Sequence, residues 1–247
     1  MPVERSDPIK VAQSIRAERY PESEVVFLSG SVMRGEGTST SDLDLVVVFQ
    51  SLEHAYRESF TFGGWPVEAF VHDRETLNYF FRQVDQASGV PSLPTMVSEG
   101  TEIPEASEFS LSLKKMARSV LKDGPPKWGA SEVDSSRYSI TNVVDDLSDP
   151  RSRAEQIATG TELFSLLATH FLRSQRLWSA TGKAIPRRLR EVDPDFADRF
   201  EQAFAQLFEA GNASSVIELA TEVLSRDGGR LFDGHKSSAP VAWRQRP

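Results

Sequence analysis

Apolar residues recur along the first hundred positions in two rhythms. From Asp7 to about Tyr20, residues Ile9, Val11, Ala12 and Ile15 fall at near-helical spacing behind an Asp-Pro start and ahead of Pro21, which predicts a helix. Val25 to Leu28 is a short apolar run closed by Ser29, Gly30 and Ser31, the pattern of a buried strand entering a tight turn, and Leu43 to Phe49 is a longer run of the same kind. Two further runs of strand character, between Tyr56 and His72, flank Gly63-Gly64, a dipeptide that tolerates the positive backbone angles of a two-residue hairpin turn. Asp73 is placed to cap a helix whose stripe is Leu77, Phe80, Phe81 and Val84. Gly89 to Pro94 interrupts the pattern, and Met96 to Ile103 reads as a last short strand or turn.

Beyond Pro104 the spacing is helical throughout, over 108–122, 135–147, 151–180, 194–210 and 214–226. Gly124-Pro125-Pro126, Asp149-Pro150, Thr181-Gly182, Asp193-Pro194 and Gly211-Asn212 fall between these segments as stop and start signals. Mixed elements followed by helices alone predict an α+β chain. A small mixed sheet with flanking helices occupies residues 1–104, an all-α bundle 105–231, and a polar, mobile tail 232–247.

Composition narrows the chemistry. The 247 residues include no cysteine, which excludes disulfides, thiolate nucleophiles and sulfur-ligated zinc together. The four histidines, His54, His72, His170 and His235, have no ligand spacing. A formal charge of -8 disfavours broad binding to nucleic acid and suits a cationic partner or a magnesium-chelated nucleotide, although a mild acidic excess also simply keeps a protein dispersed. No apolar run reaches membrane-spanning length and the N-terminus lacks a signal-peptide stretch, so the expected location is the cytoplasm.

The informative stretch runs from Gly30-Ser31 to Ser41-Asp42-Leu43-Asp44. Side chains on a strand alternate faces, so Asp42 and Asp44 point one way while Leu43, Leu45, Val47 and Phe49 line the other, buried face. Adjacent like charges at the mouth of an apolar strand ask for a cation, and oxygen ligands select a hard one such as magnesium. Glu68, flanked by Val67 and Ala69 on a later strand, becomes a third carboxylate if its strand pairs beside that of Asp42. The small-residue turn supplies backbone N–H groups and the Ser31 hydroxyl for terminal phosphate oxygens. Such a site suits in-line transfer of a nucleotidyl group between two metal ions about 3.5–4 Å apart.

Gly-Ser, a gap of about ten residues, Asp-apolar-Asp and a later third acid resemble the nucleotidyltransferase superfamily that shares its catalytic core with polymerase β and includes aminoglycoside nucleotidyltransferases. The match spans roughly residues 25 to 75. The resemblance implies two magnesium ions on Asp42, Asp44 and Glu68, a nucleoside triphosphate donor, expected to be ATP, held by Gly30, Ser31 and Ser41, and no firm acceptor. Arg34 is either a phosphate ligand or a surface residue, and Lys183 either reaches the triphosphate or is a solvated lysine after a helix stop. Asp145 and Asp146, beside the stripe Ile140, Val143, Val144 and Leu147, are candidates for binding an acceptor amine or serving as general base, or are a solvated face. The expected reaction moves AMP to a hydroxyl of a small molecule. Its rivals are a protein- or RNA-modifying enzyme and a catalytically silent binding or antitoxin-like module.

Overall fold

The computed structural model describes residues 5–239 and Trp243. Packing divides the chain into two compact units, Met1–Gly124 and Pro125–Pro247.

The first unit opens with helix α1 (Pro8–Arg19), whose first turn is capped by the Asp7 carboxylate accepting from the N–H groups of Ile9 and Lys10. Strands β1 (Val25–Ser29), β2 (Leu43–Phe49), β3 (Tyr56–Phe62) and β4 (Trp65–Asp73) follow, with β5 (Thr101–Ile103) later. They form one mixed sheet in the order β3-β4-β2-β1-β5. Within it β2 and β4 are parallel and the remaining pairs antiparallel. Gly63 and Gly64 turn the β3–β4 hairpin with φ of 56° and 80°, a pair of angles that side chains with a Cβ rarely share.

One sheet face, carrying Val26, Leu28, Leu43, Leu45, Val47, Val67, Ala69 and Val71, packs on Val11, Ala12 and Ile15 of α1. The sequence assigned burial to that face alone, yet Val46 and Val48 are equally buried. Helices α2 (Arg74–Tyr79) and α4 (Ser92–Glu99) cover the second face against β4, β1 and β2. A central strand covered on both sides reads as a continuous apolar run rather than an alternation.

Asp73 caps α2 through a reciprocal pair of bonds with Thr76. The chain then widens into a π-helical turn over Phe80–Asp85 before a last helical turn, α3 (Gln86–Ser88). The extra residue per turn breaks the 3.6-residue stripe: Leu77 and Phe81 are buried as predicted, while Val84 turns outward and Asp85 inward.

Helix α5 (Glu108–Asp123), read from sequence as the first bundle helix, belongs to the first unit. Its Lys114 meets Glu102 of β5 at 2.8 Å with both side chains nearly buried. Arg74 donates to Ser112 at 2.7 Å, and the Gln86 amide donates to the Gly124 carbonyl. These polar ties end at Gly124, so the units divide there rather than at residue 104.

The second unit contains α6 (Ala130–Ser148), α7 (Arg153–Ser174), α8 (Ile185–Val192), α9 (Pro194–Ala210) and α10 (Ser214–Ser225), packed around Leu163, Leu167, Phe171, Phe196, Phe200 and Phe204. The segment 151–180 is not one helix: α7 stops at Ser174, where Arg176 takes φ 60° and the Leu177 N–H reaches back to the Leu172 carbonyl. Helix α8 lies where the sequence suggested only a connection, with Pro186 at its start.

The chain is held on α6 just before the expected tail and again at His235 within it. Arg137 on α6 donates to the carbonyls of Gly228 and Gly229, and the Tyr138 ring stacks on His235 with centroids 4.1 Å apart. Within the predicted tail 232–247, residues 240–242 and 244–247 lie outside the described residues. No helix among the described residues is long and apolar enough to cross a membrane.

Candidate active site

Parallel pairing of β2 with β4 sets Asp44 directly beside Glu68, with Leu43 beside Val67 and Leu45 beside Ala69. Because the side-chain period of a strand is two, burying Leu43, Leu45, Val67 and Ala69 forces Asp44 and Glu68 onto the opposite face together. Asp42 stands one residue before β2 and joins them. One carboxylate oxygen from each of Asp42, Asp44 and Glu68 lies within 4.8 Å of the others, and all three residues are half-buried. Oxygen donors gathered at this spacing fit a hard divalent cation.

Antiparallel pairing on the other side places Ser29 opposite Asp44, and the chain leaves β1 directly at Gly30. Gly30 has φ 89°, and a Cβ built there would fall 2.1 Å from Asp44 Oδ2. The backbone therefore lies against the carboxylate, as a strand-end turn must if it is to present peptide groups to a ligand held there.

From Ser31 the loop closes on itself. Glu36 N–H donates to the Ser31 carbonyl at 2.9 Å, Thr38 N–H to Ser41 Oγ at 2.8 Å, and the Ser31 hydroxyl to Ser41 Oγ at 3.3 Å. Ser41, almost fully buried, thus ties the start of the loop to its end, immediately before Asp42. Arg34 is exposed and pairs with Glu36 at 3.3 Å and Glu99 at 3.6 Å.

Two arginines reach this site from outside any motif. Arg5 donates to the Ser41 carbonyl at 2.9 Å while its guanidinium lies 4.4 Å from the centre of the Trp65 ring. Arg57 on β3 pairs with Glu68. Neither stands in a recognisable motif. The period-two alternation of β3 does put Arg57 on the Glu68 face, once the hairpin register is known.

Asp85 and His72 are among the buried titratable groups of this unit outside the carboxylate cluster. Burial pushes Asp85 up to about 6 against the hydrogen bonds it accepts from the Leu93 and Ser92 N–H groups, and burial lowers His72 to about 4. In the second unit, Lys183 is exposed in a single 3-10 turn, and Asp145 and Asp146 are both exposed on α6. Asp145 is ion-paired with Arg230.

Residues 9–91 match the family model of the nucleotidyltransferase domain. This segment is similar to nucleotidyltransferase domains. The match takes in α1 from its second residue, the strands β1 to β4 and all three carboxylates. A nucleotidyltransferase-like protein from Exiguobacterium sibiricum, known from a crystal structure, is 17% identical to the chain. The alignment covers 89% of this chain and 74% of that one with a TM-score of 0.44. No curated protein matches the chain.

Proposed function

We propose that the protein transfers a nucleoside monophosphate, with ATP as donor and AMP as the group moved, to a hydroxyl of a small-molecule acceptor. The observation that carries this reading is the convergence of Asp42, Asp44 and Glu68 within 4.8 Å, in a segment of the nucleotidyltransferase family. A divalent cation bound there, magnesium in the cell and two ions when donor is present, would supply Lewis acidity at the α-phosphate and ease loss of the acceptor proton.

The chain's own residues do the rest. Asp42, Asp44 and Glu68 supply the negative charge that holds the cations. The turn at Gly30 and Ser31 receives the triphosphate, and Ser41 braces that turn. Arg34 is the candidate cation for the departing phosphates. The acceptor oxygen forms a bond to the α-phosphorus as the bond to the bridging oxygen breaks, pyrophosphate leaves with that electron pair, and the acceptor proton passes to a base. The reading places the protein in the cytoplasm, where its donor is made.

The test is acceptor-dependent release of pyrophosphate from ATP and magnesium across amino sugars, neutral sugars, nucleosides, peptides and RNA, with Asp42→Asn as the blank. Transfer by the native chain to one class and none by the variant supports the assignment. Triphosphate binding without transfer to any acceptor favours a silent binding module instead.

A further inference from the structure

Glu68 is not alone on its face of the sheet. In the antiparallel hairpin Ser59 lies opposite Glu68 and Arg57 opposite Phe70, so Arg57 is the diagonal neighbour of Glu68 on the same face. Its guanidinium lies 4.9 Å from the centre of the Phe70 ring and forms an ion pair with Glu68 Oε1. The two partners differ in exposure: the Arg57 side chain is 58% exposed and that of Glu68 24%. The carboxylate is thus fixed in the site, while the cation reaches it from solvent over an aromatic ring.

We propose that Arg57 is the resident counterion of the carboxylate cluster, which occupies Glu68 when no metal is bound and yields it to an incoming divalent cation. The inference rests on the metal-binding role assigned above to Asp42, Asp44 and Glu68. Three carboxylates this close repel one another, and a cation already paired with one of them offsets part of that cost in the empty site. An exposed ion pair contributes little and is easily exchanged. The metal nevertheless has to displace it, so Arg57 lowers the affinity of the free site and keeps Glu68 from being filled before the remaining ligands arrive. Phe70 gives the displaced guanidinium a surface to rest on beside the site.

Manganese binding to the full chain, followed by calorimetry and by the electron paramagnetic resonance of the free ion, tests this without any turnover. Arg57→Gln is expected to bind manganese several-fold more tightly than the native chain, and to melt lower without metal but gain more on its addition. Arg57→Lys, which keeps the charge, should stay close to native. In a Glu68→Gln background the effect of Arg57→Gln should disappear, since the pair that it breaks is already gone. Circular dichroism checks that each variant is folded, as expected for an exposed edge-strand position. Equal or weaker manganese binding by folded Arg57→Gln, with binding still lost in Asp42→Asn, overturns the counterion role and leaves the metal site standing. No manganese binding by the native chain overturns the metal site itself.

Discussion

Gly30 and Asp44 occupy each other's space: a single methyl group on the glycine would come within 2.1 Å of the aspartate's Oδ2. The turn after β1 and the carboxylate on β2 are therefore one structural unit, and neither can change without moving the other. Gly30→Ala should lose transfer activity by more than it loses stability. The positive φ alone costs about 1–3 kcal/mol, and the displaced carboxylate disturbs the metal ligands as well. Urea melts beside steady-state kinetics check this; a variant with native turnover would show that the close approach has no catalytic consequence.

Asp42→Asn and Asp44→Asn should each lower transfer by roughly 10²–10³-fold or more, the scale on which one positioned electrostatic group contributes to a transition state. Without metal each variant should melt at or slightly above the native temperature, because a repelling charge has been removed. Thermal melts with and without magnesium, set beside activity, test both halves.

Glu68→Gln should separate binding from turnover. A ligand to the ion that activates the acceptor matters in the reaction step, so triphosphate affinity should stay within a few-fold of native while kcat falls by roughly a hundredfold or more. Titration of a fluorescent triphosphate analogue gives the first number and acceptor-dependent pyrophosphate release the second. Native kcat would move the third ligand elsewhere.

Asp85 and His72 should oppose each other in acid. Asp85, raised to about 6 by burial, binds a proton in the folded state before the unfolded chain does, so its contribution to stability grows as pH falls from about 6 towards 4. His72, lowered to about 4 by burial, is protonated first in the unfolded chain, so its contribution shrinks as pH falls from about 6.5 towards 4. Asp85→Asn, which keeps an acceptor for the Leu93 N–H, should be more stable than native at pH 8 by roughly 1–3 kcal/mol, and should lose that advantage by pH 4.5. Urea melts at the two pH values decide it; an unchanged difference between the proteins would remove Asp85 as the titrating group.

Much of this site was legible because two periodicities coincide with chemistry. The apolar run from Leu43 to Phe49 interrupted only by Asp44, and the turn residues Gly30 and Ser31 a fixed distance before it, point to a strand with an acidic mouth whatever the rest of the chain does. Glu68 could be placed because Val67, Ala69 and Val71 alternate around it. Residues acting through long-range contacts were not legible: Arg5 reaches Ser41 across 36 positions, and Arg57 meets Glu68 only once a hairpin register is fixed. Helix α5 was misplaced because its own amphipathic spacing is that of any bundle helix. Its partners Glu102, Arg74 and Gln86 carry no periodic signal. Val84 was misread because a π-helical turn shifts the phase of a helix by a residue, and composition does not announce one.

The side-by-side register of β2 and β4 also determines how this site can be lost. Deleting one residue between Gly64 and Glu68, with the hairpin turn unchanged, would leave the strands able to pair but exchange the faces of every side chain on β4. Glu68 would point at α1, and an apolar neighbour would take its place beside Asp44. No smaller slip exists, since strands pair in whole residues. Lineages that keep the fold should be able to vary the loop between Phe49 and Tyr56 in length without disturbing the cluster, because the register of β4 on β2 does not depend on that loop's length. Indels inside β4 act instead as an on/off change, so insertions and deletions among relatives should crowd into that loop and stop sharply at Gly64.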